Sequence, residues 1–268
     1  MDEEREPRVG ALLREWRRRR KLSQLELSLL AETSARHLSC VETGKSRPSR
    51  AMVLRLAVAL DVPLRERNAL LLAADYAPAY RESRLDDREM VRIRAALDQM
   101  LTAHEPYPAV VLDRYWNVVA GNGAMAVLTA GLPPHLLEPA PNVFRMALHP
   151  EGLAARLANL RQVRELFLEH LRRQVDGTGD PRLRALHEEV SRYPLPAGHR
   201  ESESPKPPAG PVQVPLRLRS PGGELSLFGT MATFGAPADV TLSELAIELF
   251  YPLDDFTAGA LREFAAGR

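Results

Sequence analysis

The chain has 268 residues, of which 45% are apolar and 26% charged, with a formal charge of +1 and one cysteine. This is ordinary globular composition, long enough for one large or two modest domains, and two are expected. Cys40 alone excludes an intrachain disulfide, no stretch approaches the ~20 apolar residues a membrane helix needs, and the first residues lack the basic and apolar regions of a signal peptide. A cytoplasmic protein without membrane attachment is the expectation.

The small net charge hides an asymmetry. Residues 8–50 hold eleven Lys or Arg against four Asp or Glu, net +7, whereas residues 1–7 and 51–268 are each −3. A basic block of this kind suits a polyanionic partner. Val9, Leu12, Leu13 and Trp16 follow helical spacing and predict an amphipathic helix over residues 8–20. Ser23 with Glu26 forms a capping-box pattern for a second short helix to about residue 31. Ser34 can cap a third over residues 35–43, which buries Leu38 and Val41 and stops at Gly44. Ser49 then caps a fourth with Val53, Leu56, Ala57 and Leu60 on one face, and residues 64–74 supply a fifth.

Residues 75–85 break this pattern, so the domain boundary is placed near residue 80. A helix over residues 86–103 follows, and its stripe from Leu85 to Leu101 is a candidate dimer surface. The signal then changes to strand: residues 109–112 and 116–120 read as a hairpin turning at Asp113, Arg114 and Tyr115. Helical patterns return at residues 124–129, 152–175 and 181–193. Six prolines make residues 194–211 a mobile loop by composition. Residues 212–218 and 224–234 read as a second hairpin around Pro221, Gly222 and Gly223. Alternating Leu245, Ile247, Leu249 and Tyr251 form a last strand before a closing helix.

In a helix-turn-helix the second helix, here residues 34–43, enters the major groove while the first braces it on the backbone. Arg36 is positioned to donate a two-pronged hydrogen bond to guanine, with His37, Ser39 and Cys40 sharing or flanking the outward face. Gln24, Ser34, Lys45, Arg47 and Arg50 are the phosphate candidates, which set affinity and register.

Several short matches to catalytic motifs fail on context. Gly44-Lys45-Ser46 imitates the end of a P-loop but has Ser39 where the first glycine belongs. Gly121-Asn122-Gly123-Ala124-Met125-Ala126 fits G-x-G-x-x-A but lacks the next parallel strand of a nucleotide fold. His149-Pro150-Glu151 and His187-Glu188-Glu189 lack metal-protease spacing, and no G-x-S-x-G elbow is present. An enzyme is not expected.

Leu22-Ser23-Gln24, the Thr33-Ser34 entry and the run from Leu38 to Lys45 before Pro48-Ser49 strongly resemble the Cro/repressor-type (XRE) helix-turn-helix family. One departure is Glu32, where that family usually has a turn glycine. A positive φ there costs a non-glycine residue about 1 kcal/mol. Asp113, Asn122 and Ala124 around a strand pair look like the opening of a PAS domain. Together with Asn142-Val143-Phe144-Arg145 and His149-Pro150-Glu151-Gly152, they make residues 8–255 resemble XRE regulators with an MmyB-like ligand-binding domain, though residues 194–251 match that pattern loosely.

The resemblance implies an α+β chain: a five-helix helix-turn-helix domain at residues 8–75, a linker and connecting helix at 76–104, a PAS-like domain of antiparallel sheet and flanking helices at 105–255, and a C-terminal helix at 256–268. It implies a homodimer on a double-stranded DNA operator and, in place of a cofactor, a small apolar ligand such as a fatty acid. Inward strand and helix positions such as Trp116, Val118, Met125, Phe144, Phe228 and Phe234 are the expected pocket walls, since such sites are mostly apolar. The alternative is a ligand-free dimerisation or partner-docking scaffold, which would have a filled interior.

Overall fold

The computed structural model describes residues 9–198 and 214–267. They fall into two compact units: residues up to Asp87 with Gly235–Ser243, and Arg88–Phe234 with the residues from Glu244 onward. The α+β expectation is borne out.

The first unit contains α1 (Val9–Arg19), α2 (Gln24–Leu30), α3 (Ala35–Glu42), α4 (Arg50–Ala59) and α5 (Leu64–Ala73). Three serines start three of these helices as their sequence positions suggest. Ser23 accepts from Glu26 N within a complete capping box, Ser34 from His37 N and Ser49 from Met52 N. Each satisfies a backbone donor that the first helical turn leaves without an internal partner. Leu13, Trp16, Leu27, Leu38, Val41, Val53 and Leu56 meet in one core, so the apolar stripes of five short helices bury one another. The unit runs beyond residue 80 because Asn68 on α5 holds the following chain, its Oδ1 accepting from Ala79 N and Tyr80 N and its Nδ2 donating to Tyr80 O.

The second unit begins with α6 (Val91–Ala103), then β1 (Ala109–Leu112), β2 (Val118–Gly121), α7 (Ala126–Thr129), α8 (Val143–Leu148), α9 (Leu160–Thr178), α10 (Pro181–Ser191), β3 (Leu216–Ser220) and β4 (Gly223–Thr233). Between β4 and the last strand lies α11 (Val240–Glu244), most of which belongs to the first unit, where Asp239 accepts from Ser83 N. β5 (Ala246–Pro252) and α12 (Asp255–Ala266) complete the second unit. Its five strands run β2-β1-β5-β4-β3, every neighbour antiparallel.

Four sequence expectations shift here. Trp116 is not in a strand: Asp113 accepts from the backbone N–H groups of Tyr115 and Asn117, the turn lengthens, and Trp116 takes φ 67° before β2 starts at Val118. The single helix expected over residues 152–175 is broken, because residues 156–158 run beside β3 instead. Ala158 N donates to Arg217 O, and Arg219 N to Arg156 O. The helix at Val91–Ala103 packs on β1 within the second unit rather than connecting domains. Met90, Leu97 and Leu101 are buried, so little of the stripe proposed as a dimer surface remains available. The proline-rich loop lies mostly outside the described residues, as do Val212 and Gln213.

Candidate functional site

On α3 the side chains divide by helical spacing. Leu38, Val41 and Glu42 are buried, Arg36 stands exposed on the first turn, and His37, Ser39 and Cys40 are half-buried. Position and exposure thus leave Arg36, Ser39 and Cys40 on the face away from the core.

Beneath that face lies a contact network that short sequence motifs do not reveal. Arg17 on α1 grips Glu42 with both arms of its guanidinium, Nε to Oε1 at 2.6 Å and Nη2 to Oε2 at 2.8 Å, while its Nη1 donates to Leu22 O. Gln24 Nε2 also donates to Glu42 Oε2, at 2.8 Å. Burial alone would raise the Glu42 carboxyl, but hydrogen bonds from Arg17 and Gln24 and the Arg17 charge hold it below the usual carboxylate range. One buried acid therefore ties α1 and the start of α2 to the end of α3. Gly10 permits this approach, because a Cβ there would sit 2.2 Å from Val41 O.

The expected phosphate residues are placed unequally. Lys45 and Arg50 are exposed just beyond α3. Arg47 instead braces the end of α5, donating to Ala74 O at 2.8 Å, lying 3.3 Å from Asp75 and stacking over Tyr76. Ser34 serves as the α3 cap, and Gln24 is turned toward Glu42. Glu32 takes φ 48°, as its turn position implies.

The second unit holds two adjoining cavities of about 180 and 250 Å³. They share Val143, Leu166, Phe167, Gly229 and Glu248 in their walls. Val110 and Phe250 from the sheet, Met125, Met146 and Val163 from the helical side, and Leu216 line the first. Trp116, Phe144 and His170 line the second, with Trp116 edge-on to both Phe144 and His170 and its Nε1 donating to Gln174. Of the six wall candidates from sequence, Met125, Trp116 and Phe144 come together here, while Val118 packs in the adjacent core. Phe228 lies elsewhere: strand alternation turns it to the opposite sheet face, where it stacks on Tyr251. Phe234 follows β4 and lines neither cavity.

Against known proteins, residues 93–264 match the MmyB-like transcription regulator ligand binding domain family. The chain belongs to this family. Residues 8–70 of this MmyB-like regulator also match a helix-turn-helix domain family. Among solved structures, the regulator is similar to the restriction-modification controller protein C.AhdI from Aeromonas hydrophila. Identity is 37%, the TM-score 0.21, and the match covers 22% of this chain and 89% of that one. No curated protein matches. The XRE-like and MmyB-like resemblance read from the sequence is borne out: this is a DNA-binding transcription regulator with a helix-turn-helix region and an MmyB-like ligand-binding domain.

The regulator's motif decoys have other positions. Asn122 of the glycine-rich match accepts from Ala109 N and donates to Leu101 O and Tyr107 O, pinning β1 to the end of α6. His149 and Glu151 sit near His135 at the surface, with Glu151 N donating to His149 Nδ1. The feature that motif reading missed in the cavity is Glu248, a carboxylate in a mostly apolar wall. Its only sequence signal is a charged residue breaking the apolar run of the last strand.

Proposed function

We propose that the regulator binds a DNA operator through α3 and that a small molecule with a largely apolar body, the class to which fatty acids belong, occupies the paired cavities and shifts operator affinity. Arg36 reads a base from the first turn of α3, with Ser39, Cys40 and flanking His37 beside it. Lys45 and Arg50 contact phosphate, as do Gln24 and Ser34 at their helix starts, and Arg47 contributes charge at the edge. Two such heads in a homodimer span two half-sites.

The observation that carries the ligand reading is the cavity itself. The two cavities, of about 180 and 250 Å³, open to solvent beside Leu166, His170 and Met231, and each exceeds the roughly 150 Å³ at which an apolar cavity already binds benzene. A ligand-free docking scaffold has no use for such a space, so the cavity favours the sensory reading over the scaffold. Native mass spectrometry of the purified full chain tests it, with Leu166→Trp as the filled control. A small apolar adduct on the wild type that is missing from the variant is expected. A ligand-free mass, together with no uptake of added apolar probes, would contradict the reading.

A further inference from the structure

Among the described residues, Glu248 Oε2 is a buried side-chain oxygen with no hydrogen-bond partner. Strand pairing explains how it comes to face the cavities: Glu248 sits opposite Val110 on β1 and Met231 on β4, and shares its face with Phe250 two residues on. Gly229, diagonal to it on β4, leaves room for the carboxylate, since a Cβ there would lie 2.9 Å from Glu248 Oε1.

No described residue of the surrounding wall hydrogen-bonds the free oxygen of this acid. The described residues lining the two cavities include no lysine or arginine. Their other titratable group is His170 on α9, whose imidazole is held below its ordinary range by burial and by Arg173. Burial alone pushes the Glu248 carboxyl up to about 7. Buried polar groups normally have a hydrogen-bond partner, and no described residue supplies one to this acceptor.

We propose that Glu248 is the polar anchor of the cavity and selects an amphiphile carrying a protonated amine at one end of an apolar body. The inference rests on the reading of the cavities as the ligand site. An ammonium group converts the unpaired oxygen into a charge-assisted hydrogen bond, stronger than the one a neutral hydroxyl would make. A carboxylate-headed ligand sets like charge against Glu248 with no cation in the described wall to relieve it. The headgroup, not the apolar body, then carries the specificity.

The test is a calorimetric titration of the full chain at about pH 8 with octylamine, octanol and octanoate, on wild type and Glu248→Gln. The amine is expected to bind the wild type about tenfold more tightly than octanoate, an order of magnitude typical of one charge-assisted contact. Glu248→Gln should erase most of that ratio while leaving octanol affinity nearly unchanged. Gly229→Ala, which crowds the carboxylate without removing its charge, should also weaken the amine. Octanoate binding as tightly as the amine, or an amine-to-octanoate ratio unmoved by Glu248→Gln, overturns the anchor alone. Failure of all three probes to bind, octanol included, overturns the cavity reading and the anchor with it.

Discussion

Single side chains set the chemistry at both ends of the protein. Arg36 is exposed at the amino end of α3, the position from which the proposed readout has its guanidinium meet a base edge. Arg36→Ala is expected to cost about 1–3 kcal/mol of operator affinity and relax preference at one base pair, measured by titrating matched and mismatched duplexes. Lys45→Ala should instead weaken all duplexes alike and reduce the salt slope by about 1. Glu42 works from below. Its two oxygens hold Arg17 and Gln24, and removing a buried partner leaves the other charge uncompensated. Glu42→Ala is expected to destabilise the first unit by about 3–5 kcal/mol, read by urea denaturation. A loss under 1 kcal/mol would show that the pair is peripheral to the fold.

At the scale of elements, local chemistry was easier to read than pairing. The caps at Ser23, Ser34 and Ser49 and the strained turn at Glu32 follow from residues within three or four positions of one another, so periodicity and turn chemistry predict them. Ser34→Ala should therefore cost about 1 kcal/mol of stability and loosen the start of α3, seen as faster amide exchange at His37. The Arg17–Glu42 pair spans 25 residues and Gly10 meets α3 only after folding, so neither leaves a local pattern. In β5 the alternation was legible but its facing was not. Ile247, Leu249 and Tyr251 look like the inward set, yet register with β1 and β4 turns Glu248 and Phe250 toward the cavities. Phe228 departed from expectation for the same reason, since alternation along a strand does not say which of its two faces meets the cavities.

For the whole molecule, the cavity acid links protonation to stability. An ordinary carboxyl titrates near 4.5, and burial raises Glu248 to about 7. The folded state thus binds this proton more tightly than the unfolded state. The associated stabilisation is complete below about 4.5 and is lost as pH rises through about 7. In ligand-free protein, the Tm of wild type relative to Glu248→Gln should fall between about pH 5 and pH 8. His170 and Arg173, which both proteins keep, cancel in that comparison. A difference independent of pH would mean that the carboxyl is solvated in the folded state.

Coupling between an occupied cavity and DNA binding is read most directly from operator affinity. A labelled duplex selected for tight binding would be titrated with full chain stripped of ligand, with chain saturated by the cavity ligand, and with Leu166→Trp. Saturation is expected to change Kd by about five- to 150-fold, the usual span of allosteric coupling, and Leu166→Trp should not respond to added ligand. Identical operator affinity for empty and saturated wild-type protein would contradict regulation through the cavity.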